Sequence, residues 1–276
     1  MGETASERMV ILGAGRVATH LVPALVGASY RVVQIWSRTE ASARALAEPW
    51  GIAYTTDLDA VVADADIYIA CVVDGALPEV VGKIGGLTTR SLQGERGLSA
   101  GVKEPPLFLH TAGSVSMDIW NKTGALHYGI LYPLQTFSKE RTVNMHEVSL
   151  FVEASDEVAM ARIEALAHSL SDRVLRADSK RRARLHIAAV FACNFANAMY
   201  DAAHRLLAED EIPFEVLLPL IDETAAKVHA LTPHEAQTGP AVRGDHAVMQ
   251  RHMEALGGDE QLQQIYSMIS NYIANK

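Results

Sequence analysis

The chain has 276 residues, of which 49% are hydrophobic and 21% charged, so it carries ample material for a core and no signature of disorder. A formal net charge of −9 argues against a general nucleic-acid binder. Two cysteines without ligand spacing, Cys71 and Cys193, offer neither a disulfide framework nor a metal site, and suit a reducing compartment.

In chain order, the polar start from Met1 to Arg8 does not read as a signal peptide, and no apolar run reaches bilayer length; a cytoplasmic setting without a membrane partner is expected. Gly2 and Ser6 match a myristoylation pattern formally, a match read as chance. An apolar strand then begins at Met9 and ends at Gly13 in the pattern Gly13-Ala-Gly-Arg-Val-Ala18, and helical spacing follows at once. In a dinucleotide fingerprint, Gly13 permits the tight turn, Gly15 lets a pyrophosphate approach the backbone, and a small residue at position 18 lets helix and strand pack closely. The helix N-terminus offers free N–H groups and the positive end of the dipole. Gly13, Gly15, Arg16 and Val17 are therefore expected around a pyrophosphate.

The second strand, Arg31 to Arg38, ends about 20 residues beyond the glycines, where an NAD site would place Asp or Glu for the ribose hydroxyls. Here the residues are Trp36, Ser37 and Arg38. A hydroxyl and a guanidinium suit a 2′-phosphate that a carboxylate would repel, so NADP(H) is the expected cofactor. A helix over Glu40–Trp50 follows, then a segment of helical spacing from Asp57 to Asp66, and the buried strand Ile67–Val73. Val73 ends this strand and is expected beside the cofactor, and Asp74-Gly75-Ala76 follows at the carboxyl edge of the sheet, where ligands bind in open α/β folds. The pattern continues with helix Ala76–Ile84, a loop over Gly85–Pro106 and strand Leu107–His110. Helix Val115–Thr123 and strand Gly129–Tyr132 come next, followed by strand Val148–Val152, helix Glu157–Leu170 and strand Arg173–Arg176.

From Ser179 onward strand periodicity disappears. Helices are predicted over Lys180–Ala208, Phe214–Leu231, Arg243–Leu256 and Glu260–Ala274. The expected architecture is a Rossmann-like α/β domain over residues 1–178, with a doubly wound, mostly parallel sheet, followed by an all-α domain over residues 179–276. Substrate is expected between the two domains.

Polar residues in apolar surroundings mark the remaining candidates. His110-Thr-Ala-Gly-Ser114 ends a strand beside the expected nicotinamide position; His110 can move a proton and Ser114 can hydrogen-bond a substrate, or simply cap the next helix. Tyr132-Pro-Leu-Gln-Thr-Phe-Ser138 reads as a shaped loop, with Gln135 toward substrate. On the long helix, His186 and Asn197 project within about 20° of each other and Asn194 roughly 80° away, if the α-helical period holds. Either these groups bond to neighbouring helices or they face substrate. Arg243, in Gln237-Thr-Gly-Pro-Ala-Val-Arg-Gly-Asp245, can close over an anion or pair with Asp245.

These stretches together resemble Rossmann-like proteins that carry the domain of unknown function 2520, within the 6-phosphogluconate dehydrogenase-like superfamily. The resemblance rests on Gly13–Ala18, His110–Ser114, Tyr132–Ser138, Leu185–Asn194 and Gln237–Asp245, and it implies a nicotinamide cofactor and a helical domain that dimerises. Ketopantoate reductases and β-hydroxyacid dehydrogenases are similar in layout and use a lysine on the first helix of the second domain; matching Asn194 to their second Asn puts His186 at that lysine. Pyrroline-5-carboxylate reductase and prephenate dehydrogenase are similar in domain order. The combined expectation is an NADP(H)-dependent oxidoreductase, homodimeric, acting on a small anionic carbonyl, imine or hydroxyl compound and using no metal. His186, Asn194 and Ser114 would face the reacting centre, with His110, Gln135, Asn197 and Arg243 toward substrate. The rival expectation is a non-catalytic NADP-binding sensor on the same fold.

Overall fold

The computed structural model describes residues 7–93 and 104–275. It divides into two compact units, residues 1–193 and 194–276. In the first, eight strands form one sheet in the order β3-β2-β1-β4-β5-β6-β7-β8. They are β1 (Arg8–Leu12), β2 (Arg31–Trp36), β3 (Ala53–Thr55), β4 (Ile67–Ala70), β5 (Leu107–His110), β6 (His127–Leu134), β7 (Ser149–Ala154) and β8 (Val174–Arg176). Every pairing is parallel except β6–β7. The order reverses direction at β1, with β2 on one side and β4 on the other, which is the switch point where open α/β sheets leave a crevice.

Both faces of the sheet are covered, which is why its strands read as unbroken apolar runs. Met9 and Ile11 pack with Leu21 and Leu25 of α1 (Arg16–Gly27) and with Ile163, Leu166 and Leu170 of α4 (Glu157–Leu170). Their neighbours Val10 and Leu12 point the other way, toward Leu77, Val80 and Ile84 of α3 (Leu77–Gln93) and toward Trp120. α2 (Glu40–Ala47), which follows β2 and continues as one 3₁₀ turn to Trp50, adds Leu46 and Ala47 to the first of these faces.

Several expectations need correction. The segment from Asp57 to Asp66 is not a helix beyond one 3₁₀ turn at Leu58–Ala60: Asp57 caps that turn, and Asp64 and Asp66 bond to Arg8 instead. The edge strand β3 was not anticipated, being too short to show a period. α3 does not stop at Ile84; it runs to Gln93, so the expected loop is helical over its first part, while residues 94–103 lie outside the described residues. Residues Met117–Thr123 form 3₁₀ rather than α-helical turns. Pro133 and Leu134 belong to β6 and pair with Leu150 and Ser149.

After β8 the chain enters α5 (Ser179–Ala189), a π-helical turn over Val190–Phe195, and α6 (Ala196–Ala208). Asp178 caps α5 by accepting from the Arg181 N–H, and the Ser179 N–H donates to Glu153 Oε1 at 2.8 Å. The second unit also contains α7 (Leu218–Lys227), α8 (Pro240–Arg243), α9 (His246–Ala255) and α10 (Glu260–Ala274). Among its described residues only Ala241 and Leu262 are buried, whereas Leu220, Met268 and Tyr272 are each at least 64% exposed. No helix among the described residues is long and apolar enough to cross a membrane.

One buried ion pair fastens α5 to the sheet. Arg182, 1% exposed, donates to the Glu153 carboxylate of β7, to the Val115 carbonyl, and to Ser179 Oγ at 3.2 Å. Removing the carboxylate would strand a cation that has no access to water. Glu153→Ala is expected to lower the unfolding free energy by about 3–5 kcal/mol, read from the urea midpoint at constant slope. A loss below about 1 kcal/mol would mean that the pair does not anchor the helix.

Candidate active site

The loop between β1 and α1 is set by backbone approach. Gly13 has φ of +121°, its N–H donates to the Trp36 carbonyl at 2.7 Å, and a Cβ there would sit 2.8 Å from the Cys71 carbonyl oxygen. Only glycine fits both the angle and the space. Gly15 then starts α1 with no side-chain cap and no acidic residue in the first turn, leaving the first amides open to an anion.

These amides border a cavity of about 660 Å³ at the carboxyl ends of the strands. Gly13, Gly15, Arg16, Val17, Ser37, Arg38 and Val73, the seven residues expected around a dinucleotide, all line it. Ser37 is buried at the end of β2 and Arg38 is exposed beside it, with no carboxylate between them. Further along, Thr111, Gly113, Tyr132, Gln135 and His186 form the wall. The cavity is lined by three cations, Arg16, Arg38 and Lys139, against one carboxylate, Asp74, so the balance favours an anionic occupant.

His186 is half-buried on α5, one turn after Arg182. Its Nδ1 lies 3.2 Å from the hydroxyl of Tyr132, a buried residue of β6. Gly113 packs against both rings: a Cβ there would be 2.7 Å from Tyr132 Cζ and 2.8 Å from His186 Nδ1. Burial pushes the Tyr132 phenol above its ordinary pKa, and the Asp74 charge adds to this while Arg182 opposes it. The Cys71 thiol is pushed up to about 12 by burial, which leaves it inert at neutral pH.

Ser114 is exposed and donates to Asp74, which lines the cavity; the cap of the next turn is Ser116, which accepts from the Asp118 N–H. Asn194, Asn197 and Arg243 are exposed residues of the helical unit. The angular arithmetic that set the two asparagines beside His186 assumed an unbroken α-helix, and the π turn at Val190–Phe195 changes that phase. Asp245 caps α9 by accepting from the Val248 N–H. Asp74, expected after the strand at the edge where ligands bind, is a wall residue; sequence reasoning gave no such place to Lys139, which also lines the cavity. No cluster of His, Cys, Asp and Glu able to hold a metal occurs among the described residues.

His110 is a correction. It has no exposed surface and does not reach the cavity wall; its Nδ1 accepts from the Ala112 N–H at 3.2 Å, so Nε2 carries the proton toward the Ser116 carbonyl at 3.4 Å. The ring shapes the loop that follows β5 instead of facing substrate. Burial, reinforced by the Arg182 charge, lowers its pKa to about 4. Because the folded pKa lies below the unfolded one, only the unfolded chain takes up the proton first as pH falls. This group's contribution to stability is therefore intact above about pH 6.5 and shrinks toward pH 4, by about 3 kcal/mol in all. Urea titrations at stepped pH should show that loss, and His110→Asn should flatten it; an equal slope in the variant would reject the assignment.

A family model described as domain of unknown function (DUF2520) matches residues 148–273, and one described as shikimate / quinate 5-dehydrogenase matches residues 1–77. No curated protein matches the chain. Among solved structures, a Bacteroides fragilis protein provisionally named an NADP oxidoreductase is 44% identical, with 98% of this chain and 99% of that chain covered and a TM-score of 0.87. A 1-pyrroline-5-carboxylate reductase from Streptococcus pyogenes is 13% identical over 98% of this chain and 99% of its own, with a TM-score of 0.61. An imine reductase from Myxococcus stipitatus, solved in complex with NADP+, is 16% identical over 97% and 92%, with a TM-score of 0.61. At 13% and 16% identity the likeness is one of fold. Sharing its length, its fold and nearly half its residues with the Bacteroides protein, and its C-terminal half with the matched model, the chain belongs to the family of Rossmann-like proteins that carry the domain of unknown function 2520.

Proposed function

We propose that this protein is an NADP(H)-dependent oxidoreductase acting on a small anionic carbonyl, imine or hydroxyl compound. The observation that carries the reading is one cavity that runs from Ser37 and Arg38, past the open amides after Gly15, to the paired rings of Tyr132 and His186. The cofactor supplies hydride chemistry when bound. The chain's own residues do the rest. Gly13 and Gly15 leave room for a pyrophosphate against the helix N-terminus. Arg38 offers a planar pair of donors to a 2′-phosphate, and Ser37 a hydroxyl. His186 moves the proton that accompanies hydride transfer, in the place where the ketopantoate reductases carry lysine. Ser114, through Asp74, and Gln135 are proposed to orient the substrate.

The relatives support the cofactor: the 44% identical protein is provisionally named for NADP, and the imine reductase was solved with NADP+. Free Cys71 and Cys193 accord with a cytoplasmic setting. The rival sensor reading accounts for the phosphate-binding end of the cavity but gives no role to a tyrosine–histidine pair at the other end.

Titration calorimetry of the purified protein should show NADPH binding. Arg38→Ala should weaken it by about tenfold or more, leaving NADH within about twofold, because only NADPH has the phosphate to lose. The protein should also oxidise NADPH when offered a panel of small 2-keto acids and cyclic imines. Absence of binding heat for both forms of NADP would remove the enzyme reading, and binding without turnover would favour the sensor.

The helical unit is proposed to form the interface of a homodimer, since 83 residues that bury so few apolar side chains lack a core of their own. Sedimentation equilibrium at micromolar concentration should return twice the chain mass, and Met268→Glu, which puts a charge on that face, should shift it toward the monomer. A monomer in the unmodified protein would exclude the dimer.

A further inference from the structure

Nδ1 of His186 faces the Tyr132 hydroxyl at 3.2 Å, the two rings meet edge to face with centroids 6.2 Å apart, and Gly113 leaves no room to spare beside them. Among the described residues, the phenol's one hydrogen-bond partner is that nitrogen. We propose that Tyr132 is the positioning residue for His186: its hydroxyl holds Nδ1 in either charge state, so that Nε2 is the nitrogen that exchanges a proton with substrate. The inference rests on the oxidoreductase reading for its chemistry, but the hydrogen bond stands apart from it.

A hydroxyl is suited to this task because it both donates and accepts. Beside the neutral ring at rest, the phenol O–H donates to Nδ1 and the ring's own proton sits on Nε2; just after Nε2 has given up a proton, the remaining one stays on Nδ1 and is donated to the phenol oxygen. Beside the charged ring, Nδ1–H donates to the phenol oxygen. Burial keeps the phenol protonated in the neutral range, so no phenolate forms in either state. In the reducing direction, the C=O or C=N carbon of the substrate accepts a hydride from the reduced dinucleotide and the π pair moves to the heteroatom. That atom takes the proton from Nε2 of the charged ring. The ring is left neutral, with its remaining proton on Nδ1 and donated to Tyr132, and Nε2 regains a proton from solvent. The charges that act on the paired phenol are Arg182, one turn back on α5 from His186, and Asp74 in the cavity wall; Arg16, Arg38 and Lys139 also line the cavity.

Gly113 belongs to the same device. A methyl group there would push on both rings at once and part the pair without removing either hydrogen-bonding group.

The test uses the whole chain with ¹⁵N-labelled histidine at about pH 9, where an imidazole is neutral. Tyr132→Phe should move the Nδ1 resonance of His186 and leave Nε2 nearly in place, and Gly113→Ala should do the same. An Nδ1 resonance unmoved by Tyr132→Phe overturns the proposal whether or not a substrate is known. With 1-pyrroline-5-carboxylate as the probe substrate, Tyr132→Phe should lower kcat on the order of 10- to 100-fold while KM and the NADPH dissociation constant stay within about twofold. His186→Ala should lower kcat by about 100-fold or more. A kcat unchanged in Tyr132→Phe overturns the positioning role. Should the unmodified protein bind NADPH and reduce neither this imine nor the 2-keto acids, the oxidoreductase reading fails, and the Nδ1 shift still decides whether Tyr132 holds the ring.

Discussion

The close passage of Gly13 over the Cys71 carbonyl governs the geometry of the site. With 2.8 Å between that oxygen and the place where a Cβ would be, the end of β1 lies directly against the end of β4. The chain can then leave the sheet only with a left-handed turn, and α1 begins at once with bare amides directed over the crevice. The same few residues therefore make a backbone contact that side chains cannot tolerate and an anion-binding surface that side chains would obstruct. Loss of the first would remove the second. This is why the glycines carry more information about function than any charged residue near them.

A second constraint acts at the other end of the cavity. Arg182 reaches Glu153 of β7 and the Val115 carbonyl, so one buried cation connects α5, the antiparallel edge of the sheet and the loop that contains Gly113. His186 stands one turn further along α5, and Tyr132 rises from β6, the strand paired with β7. An ion pair cut off from water is a poor source of net stability but a strict specifier of geometry, because moving either partner exposes an unpaired charge. Its effect here is to fix the distance between a helix residue and a strand residue separated by 54 positions.

Much of this was legible in the sequence wherever a residue performs a local task. α4 and α10 begin and end at the residues expected from their apolar spacing, and each starts at a local cap, Asp156 and Asp259 accepting from an amide three residues on. The cofactor end of the cavity was legible because glycine turns and the residue after β2 have fixed meanings in this fold. What stayed hidden depends on distant partners. The acidic run after Asp57 imitates a helix until Arg8 claims two of its carboxylates. Gly85 and Gly86 suggest a break, but a Cβ at Gly85 would overlap Thr123, so that glycine marks a close packing of α3 and not its end. His110 looked like an acid because it ends a strand at the right edge; only its burial, with the Arg182 charge nearby, shows that it stays neutral.

The pairing of Tyr132 with His186 bears on what a histidine would need in order to serve, as proposed, where the ketopantoate reductases carry a lysine. An ammonium group is nearly spherical, with three equivalent donors, and delivers a proton from almost any rotamer. An imidazole is planar, with two nitrogens of which only one can face the substrate, so it needs a partner that holds the other. Replacing the lysine alone would leave a ring free to turn the wrong nitrogen inward. The chain supplies both further requirements, a hydroxyl on β6 that accepts or donates as the ring changes charge, and a residue without a side chain at position 113 to let the two rings meet. Three positions in three different parts of the chain are thus coupled by one stereochemical demand, the one that the proposed use of His186 as a proton donor would make.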